Sequence, residues 1–343
     1  MMRKFLLTAL RFVLIGTMPL LILLVVYIKS DPFKVLYNYD EYYDTNDNGR
    51  VGLNKDYVSS STFLNNSKRN KHYDSFIFGS SRSIFYQISH WKTHLPINSN
   101  CFHFDASNET LYAMNKKVEF LDGKGVKIKN ALVVFDHGLL SQDKSKSGHL
   151  FMISPALVGD KNMLSFQLTF FKAFLSTKFL RAYLDFKLSG EIKPYMRKSN
   201  LLDDTKWNYN MELNELSLDY FEELMLKNEY YTPERMASFY ERENVRKSYS
   251  ICIGENQKTM LMNMKKIFDK HQTSYRIVIS PLYDQLNLNE ADVTYLKTIF
   301  GEKNVYDFSG INKFTSDYKN YYESSHYRPK VANEIMDSIY LSK

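Results

Sequence analysis

Short apolar runs alternate with amphipathic stretches over two parts of the chain, 73–140 and 254–343. The runs are typical of buried strands, whereas the stretches between them carry apolar residues at helical spacing. The predicted strands lie within 73–83, 100–107, 130–140, 274–284 and 304–310, and the predicted helices within 108–125, 254–271, 289–301 and 328–343. Because strands alternate with helices, the pattern predicts an α/β fold with a doubly wound parallel sheet.

The segment between these two parts, about 141–250, has a different pattern. Helical periodicity and loops dominate it, so we expect a mainly helical insertion. Its most apolar window, 162–188, contains Lys172, Arg181 and Asp185. Charges at such intervals make a membrane span expensive. The window therefore predicts an amphipathic helix that packs on the domain or rests on a membrane or partner.

An apolar stretch at 5–28 is long enough to cross a bilayer of about 30 Å. Arg3, Lys4 and Arg11 lie on its N-terminal side, and the positive-inside rule then predicts a cytoplasmic N-terminus. A cleaved signal peptide is the alternative, since it begins in the same way. The stretch ends in YIKSDPF, without a small-x-small cleavage site, which favours an uncleaved anchor.

These patterns predict a single-pass membrane protein that contacts the lipid bilayer through its N-terminal segment. Residues 1–30 would form a cytoplasmic tip and a transmembrane anchor, and 31–72 a polar connector. Residues 73–343 would form the main domain, in the periplasm or outside the cell, with the helical insertion at about 141–250.

The composition argues against several classes of protein. With 44% hydrophobic and 24% charged residues, the chain can bury a substantial core, so global disorder is excluded. The net charge is +7, but lysines alternate with acids, and no basic block is interleaved with aromatic residues. A nucleic-acid partner is therefore not expected. The two cysteines, Cys101 and Cys252, cannot form a zinc site by themselves, and neither a metal nor a cofactor is expected. Whether they pair or remain free thiols stays open.

Polar side chains follow three of the predicted strands and precede the last predicted helix. They are Ser80, Ser81 and Arg82 after the first strand, Ser107 and Asn108 after the second, Asp136 and His137 after the third, and Glu323 and His326 before the final helix. In parallel sheets, ligands bind at the carboxyl ends of the strands. A serine at a strand-to-helix turn, with a histidine and an acid elsewhere, is the layout of a nucleophilic triad.

Two of these motifs resemble those of the SGNH (GDSL-like) hydrolase superfamily. The first is FIFGSSRS, in which Gly79-Ser80-Ser81 is similar to the family's Gly-Asp-Ser. The second is Glu323-Ser-Ser-His326, which is similar to its Asp-x-x-His and also stands before a terminal helix. The resemblance covers about 73–140 and 255–343. It implies a flavodoxin-like three-layer fold, Ser81 as nucleophile, His326 as base and Glu323 as the acid that orients it.

The intermediate motifs depart from the family pattern. Ser107 and Asn108 stand where the family has an oxyanion-hole glycine, and Phe135-Asp136-His137-Gly138 stands where it has Gly-x-Asn-Asp. His137 is a second candidate base, but the acid-x-x-His context favours His326. Arg82 has two interpretations, an ion pair that holds the turn or a cation that contacts substrate.

A Gly-Ser-Ser-Arg motif on an anchored, extracytoplasmic domain is similar to the DltD-like and alginate-acetylation-like partners of membrane-bound O-acyltransferases. This resemblance implies a serine acyltransferase or acylesterase that acts on a cell-envelope polysaccharide. It also implies a membrane-bound O-acyltransferase partner, which the aromatic stretch at 150–190 would meet. The alternative is a catalytically drifted binding or assembly protein of envelope glycan export that keeps the fold.

Overall fold

The computed structural model describes residues 2–43, 50–159, 162–198, 201–243 and 245–341. Its strands are β1 (Arg50–Val51), β2 (Ser75–Gly79), β3 (Cys101–His103), β4 (Asn130–Phe135), β5 (Leu202–Asp203), β6 (Asn208–Asn210), β7 (Glu215–Ser217), β8 (Lys247–Ser248), β9 (Ser274–Ile279), β10 (Leu286–Asn287), β11 (Val305–Asp307), β12 (Tyr321–Glu323) and β13 (His326–Tyr327).

The helices are α1 (Met2–Ser30), α2 (Lys55–Lys68), α3 (Ile88–Trp91), α4 (Leu111–Gly123), α5 (His137–Leu140), α6 (Pro155–Val158), α7 (Met163–Phe174), α8 (Thr177–Ser189), α9 (Pro194–Lys198), α10 (Asp219–Leu226), α11 (Pro233–Met236), α12 (Glu255–His271), α13 (Glu290–Phe300) and α14 (Pro329–Leu341). Short 3₁₀ turns occupy Ser81–Phe85, Lys92–His94, Glu302–Asn304 and Tyr318–Asn320.

The chain divides into two units. The described parts of Met1–Tyr42, Asn46–Leu53 and Lys161–Thr205 form the smaller unit, and Tyr43–Thr45, Asn54–Asp160 and Lys206–Lys343 the larger one. In the smaller unit, aromatic rings pack α1 and the turn after it on α7 and α8. Phe33 stacks on Phe179 with ring centroids 4.9 Å apart, and Tyr27 lies 5.3 Å from Phe174.

A five-stranded sheet, in the order β11-β9-β4-β2-β3, forms the centre of the larger unit. Every neighbouring pair in it is parallel. The five strands lie inside the five apolar runs of the sequence, and α4, α12, α13 and α14 lie inside the predicted helices. The expected α/β fold with a parallel sheet is therefore confirmed.

Alternate residues of each central strand face opposite sides of the sheet, and both sides are buried. On β2, Phe76 and Phe78 join one hydrophobic cluster, whereas Ile77 joins the other. The first cluster includes residues of α4, α12 and α13, and the second includes residues of α3 and α14. Helices thus cover both faces, which explains why the strand sequences are continuous apolar runs.

The window 162–188, expected to be one amphipathic helix, contains two helices. The break falls at Ser176, whose side-chain oxygen accepts a hydrogen bond from the backbone N–H of Phe179 and caps α8. Serine is a strong N-cap residue, and this local hydrogen bond ends one helix and starts the next. The predicted insertion also contains the short strands β5, β6, β7 and β8, and its 206–250 part belongs to the larger unit.

The predicted anchor at 5–28 lies within α1, where the side chains of Arg3, Lys4 and 6–15 are outside the described residues. Among the residues that the structure describes, no helix has the length and apolarity of a membrane span. The end of the predicted connector forms α2, which belongs to the larger unit.

Two lysines are buried inside the larger unit, and each has acidic partners. Lys117 Nζ lies 2.9 Å from Asp56 Oδ1 and also contacts the carboxylate of Glu109. Lys55 Nζ lies 3.3 Å from Asp105 Oδ1. Asp105 and Glu109 flank Asn108, so these contacts fix the segment that follows β3. Burial raises the pKa of Glu109 to about 7, even beside Lys117.

We expect Lys117→Met to lower the free energy of unfolding by about 3–5 kcal/mol, because two buried carboxylates lose their cation. Lys116→Met is the matched control on the same helix, since Lys116 pairs with Glu119 at the surface and such pairs contribute about 1 kcal/mol or less. Urea denaturation followed by circular dichroism measures both. Equal losses in the two variants would contradict this account of the buried cluster.

Candidate functional site

The carboxyl ends of β2 and β4 meet at the point where the strand order reverses. Let the five central strands be numbered 1 to 5 in chain order, so that β2 is the first and β4 the third. Their order across the sheet is then 2-1-3-4-5, which is the flavodoxin-like order. Sheets of this order bind ligands at the crevice between these two strands. Ser81 follows β2 and Asp136 follows β4, so both lie at this crevice.

The turn that carries Ser81 is tightly packed. A Cβ at Gly79 would lie 2.6 Å from the Cβ of Ser83 and 3.1 Å from that of Val134, so only glycine fits between the strand and the turn. Ser80 then caps the 3₁₀ turn Ser81–Phe85, accepting a hydrogen bond from the Arg82 N–H. This close approach fixes the direction in which Ser81 leaves the sheet.

The histidine and its acid belong to a small hairpin. Strands β12 and β13 are antiparallel, with Glu323 directly opposite His326 across a two-residue turn. Residues opposed in this way bring their side chains together, which explains the acid-x-x-His spacing. The ring of His326 also packs on the edge of Phe85, with centroids 5.8 Å apart.

Ser81, His326 and Glu323 form one hydrogen-bonded chain. His326 Nε2 lies 2.8 Å from Ser81 Oγ, and His326 Nδ1 hydrogen-bonds to Glu323 Oε1. The other carboxylate oxygen, Oε2, accepts a hydrogen bond from the Ser325 N–H at 2.7 Å. Since the acid engages Nδ1, the imidazole presents Nε2 to the serine, as proton transfer from Oγ requires.

Burial acts to raise the pKa of Glu323, but the hydrogen bonds from His326 and Ser325 outweigh it, and the pKa lies below its usual 4.5. The carboxylate is therefore ionised at neutral pH, the state that holds a histidine in a fixed orientation.

Asp136 joins the three segments of the site. Its Oδ2 lies 2.8 Å from Arg82 Nη1 and accepts a hydrogen bond from Ser80 Oγ at 3.2 Å, while Oδ1 accepts one from the Leu139 N–H at 3.0 Å. Arg82 Nε also donates to the carbonyl oxygen of Ser325 at 3.2 Å. Of the two interpretations of Arg82, the ion pair that holds the turn is observed.

A cleft of about 280 Å³ opens beside Ser81 and His326. Arg82, Asn108 and Asp136 also line it. The side-chain oxygen of Asn108 accepts a hydrogen bond from Lys146 Nζ, while Nδ2 has no hydrogen-bond partner among the described residues. Nδ2 is a donor, so Asn108 brings a hydrogen-bond donor to the lining of the cleft.

Two candidate residues are not brought into this arrangement. Ser107 is half-buried but does not line the cleft, and His137 stacks on Tyr249 with ring centroids 4.1 Å apart. Sequence reasoning missed Lys146 and Ser325. Lys146 lies far from any strand end, so no local pattern marks it, whereas Ser325 stands inside the Glu-Ser-Ser-His motif itself.

The segment 206–250 braces the hairpin. Glu222 on α10 pairs with Arg328, with Nη2 to Oε2 at 2.6 Å, and accepts a hydrogen bond from the hydroxyl of Tyr322. The hydroxyls of Tyr230 and Tyr231 donate to the backbone carbonyls of the hairpin strand β12. Part of the predicted insertion thus positions His326.

We expect a double-mutant cycle on Arg82→Met and Asp136→Asn to give a coupling energy of about 1–3 kcal/mol. Each single change leaves a buried charge or its partner unpaired, and the double change removes both. Urea denaturation of the four proteins measures it. Additive losses would contradict the view that this pair ties the nucleophile turn to β4.

No model of a protein family matches the chain, and no curated protein matches it either. The chemistry of the site therefore rests on contacts within the chain itself. Those contacts join a serine hydroxyl, an imidazole and a carboxylate beside a cleft that Arg82 also lines, an arrangement that can activate a serine as a nucleophile.

Proposed function

We propose that the chain is a serine acyltransferase or acylesterase of the SGNH type. The observation that carries the proposal is the hydrogen-bonded chain from Ser81 Oγ through His326 to Glu323. A serine hydroxyl is a weak nucleophile by itself, and a neighbouring imidazole with an acid behind it is the usual means of activating it.

The reaction has two halves. Ser81 Oγ attacks an acyl carbonyl while His326 Nε2 takes its proton, and His326 then returns the proton to the leaving oxygen. The resulting acyl-serine is attacked by water or by a hydroxyl of the acceptor, which His326 deprotonates in turn. Glu323 stays ionised and stabilises the imidazolium of both steps.

The oxyanion of these steps needs hydrogen-bond donors near Ser81. Two candidates line the same cleft: the N–H of Ser81, which opens the 3₁₀ turn and lacks an acceptor within it, and Nδ2 of Asn108. Lys146 on the Asn108 oxygen polarises the amide and makes Nδ2–H a stronger donor. Asn108 then replaces the donors that the family draws from its glycine and asparagine.

We further propose that the acceptor is a cell-envelope polysaccharide, that 1–30 anchors the domain outside the cytoplasm, and that a membrane-bound O-acyltransferase supplies the acyl group. The apolar stretch at 5–28 and its basic flank support the anchor. In the smaller unit, the apolar side chains of Leu164 and Leu188 are 73% and 89% exposed, which suits a contact with a membrane or membrane protein.

The other candidate is a catalytically drifted SGNH-type protein that binds or assembles envelope glycans. The observation that favours it is the Asp136–Arg82 ion pair, because Asp136 follows β4, where the family has its Gly-x-Asn-Asp. The two candidates differ in whether Ser81 is reactive.

We expect a fluorophosphonate probe to label the wild-type protein and not Ser81→Ala, because only an activated serine attacks the phosphorus. Ser89→Ala is the matched control, since Ser89 is exposed and lies on the same segment. Gel fluorescence and mass spectrometry of the labelled peptide measure the result. Absence of label from the wild type, or equal label in Ser81→Ala, would support the drifted alternative.

We expect Glu323→Gln to slow labelling at neutral pH by about 10²–10⁴-fold, because the amide no longer holds the imidazole in the productive tautomer.

The lowered pKa of Glu323 also has an effect on the stability of the fold. The contribution of the ionised carboxylate to the free energy of unfolding is present above pH 4.5 and is lost as the pH falls through the folded-state pKa. Glu323→Gln should therefore differ in stability from the wild type at pH 7 more than at pH 3. A stability difference independent of pH would contradict an ionised Glu323.

A further inference from the structure

A cluster of two histidines and one aspartate lies outside the set of residues that line the cleft. His90 and His94 follow the nucleophile turn, on α3 and on the 3₁₀ turn after it, and Asp337 lies on α14. His90 Nε2 and His94 Nε2 lie 2.9 Å and 3.0 Å from the same oxygen, Oδ1 of Asp337. These three atoms all lie within 4.8 Å of one another.

This geometry is close to that of a transition-metal site. Zn²⁺ binds imidazole nitrogens and carboxylate oxygens at about 2.0–2.2 Å in a tetrahedron, which separates its ligand atoms by about 3.3 Å. The distances from the two Nε2 atoms to Asp337 Oδ1, 2.9 Å and 3.0 Å, need to lengthen by only a few tenths of an ångström to match. Two nitrogens and one oxygen make three ligands, and a water molecule would complete the fourth position.

Part of this cluster is visible in the sequence. His90 and His94 are four residues apart, the spacing that places two imidazoles on one face of a helical turn. Their common partner, Asp337, is more than two hundred residues away, so the complete set is visible only in the fold.

The surroundings hold the three side chains in place. His94 stacks on the ring of Tyr340, with centroids 5.2 Å apart and planes at 12°, and the hydroxyl of Tyr340 accepts a hydrogen bond from Trp91 Nε1 at 2.8 Å. Trp91 is completely buried. The backbones that carry the three ligand side chains are thus already packed together, so little conformational entropy would be lost on binding an ion.

We propose that His90, His94 and Asp337 bind a divalent transition-metal ion, with Zn²⁺ as the best fit. Two of the three ligand atoms are imidazole nitrogens. Mg²⁺ and Ca²⁺ prefer oxygen ligands, so these ions fit the site less well. On binding, each imidazole gives its Nε2 lone pair to the ion and carries its proton on Nδ1, and the hydrogen bonds to Asp337 are replaced by metal–ligand bonds. This site is separate from the Ser81 site and does not depend on the function proposed for it.

Such an ion would act as a clamp. His90 lies nine residues beyond Ser81, and Asp337 eleven residues beyond His326. A metal that joins them ties the segment after the nucleophile to the helix after the base. Because the ion binds the folded chain and not the unfolded one, it raises stability by mass action.

The test uses the full-length, untagged protein after treatment with a chelator. We expect Co²⁺ titration to give the visible absorption of a tetrahedral nitrogen- and oxygen-ligated ion, saturating at one ion per chain, and Zn²⁺ to abolish it by displacement. We also expect Zn²⁺ to raise the midpoint of thermal unfolding. Absence of the visible bands, or saturation well below one ion per chain, would overturn the proposal.

Variants locate the site. Asp337→Asn and His94→Gln should each weaken Co²⁺ binding by more than about 100-fold, since loss of a ligand exceeds the 10–100-fold effect of a second-shell change. His72→Gln is the control, because His72 is exposed and outside the cluster. Circular dichroism reports whether each variant is folded. A folded Asp337→Asn that binds Co²⁺ like the wild type would rule the site out.

Discussion

The buried carboxylate of Asp136 is the group on which the arrangement of the site depends. One oxygen caps α5, the other receives Ser80 and Arg82, and Arg82 continues to the carbonyl of Ser325. A single carboxyl group thereby joins the end of β4, the turn that carries Ser81 and the hairpin that carries His326. Because an unpaired charge in the interior is costly, each of the three segments stabilises the position of the other two.

Ser81 and His326 are held in place by different means. Ser81 leaves a rigid sheet through a turn that admits only glycine at position 79, so its direction is fixed by close packing. His326 lies on a small hairpin whose position depends on side chains from 206–250, above all the pair between Arg328 and Glu222. The alignment of the two therefore depends on a segment that contributes no residue to the triad.

The sheet and the edge at which the site lies could be predicted from the sequence. Buried parallel strands are continuous apolar runs, and their carboxyl ends all lie at the same edge of the sheet. The contacts between distant segments could not. Lys117 reads as a surface residue until its buried acidic partners are known. The helix break at Ser176 depends on one capping hydrogen bond within an otherwise periodic window. Lys146 and Asp337 act through partners that no local pattern connects to them.

Ser81 and His326 are 245 residues apart in the chain, and this separation has a consequence for folding. A contact between distant segments closes a long loop, and the loop-closure entropy must be lost before the contact stabilises the structure. A molecule that has formed the sheet but not yet docked the hairpin holds a serine without its base. On the function proposed above, labelling of Ser81 therefore counts the molecules in which the hairpin has docked, which spectroscopy of the backbone alone does not distinguish from molecules in which it has not.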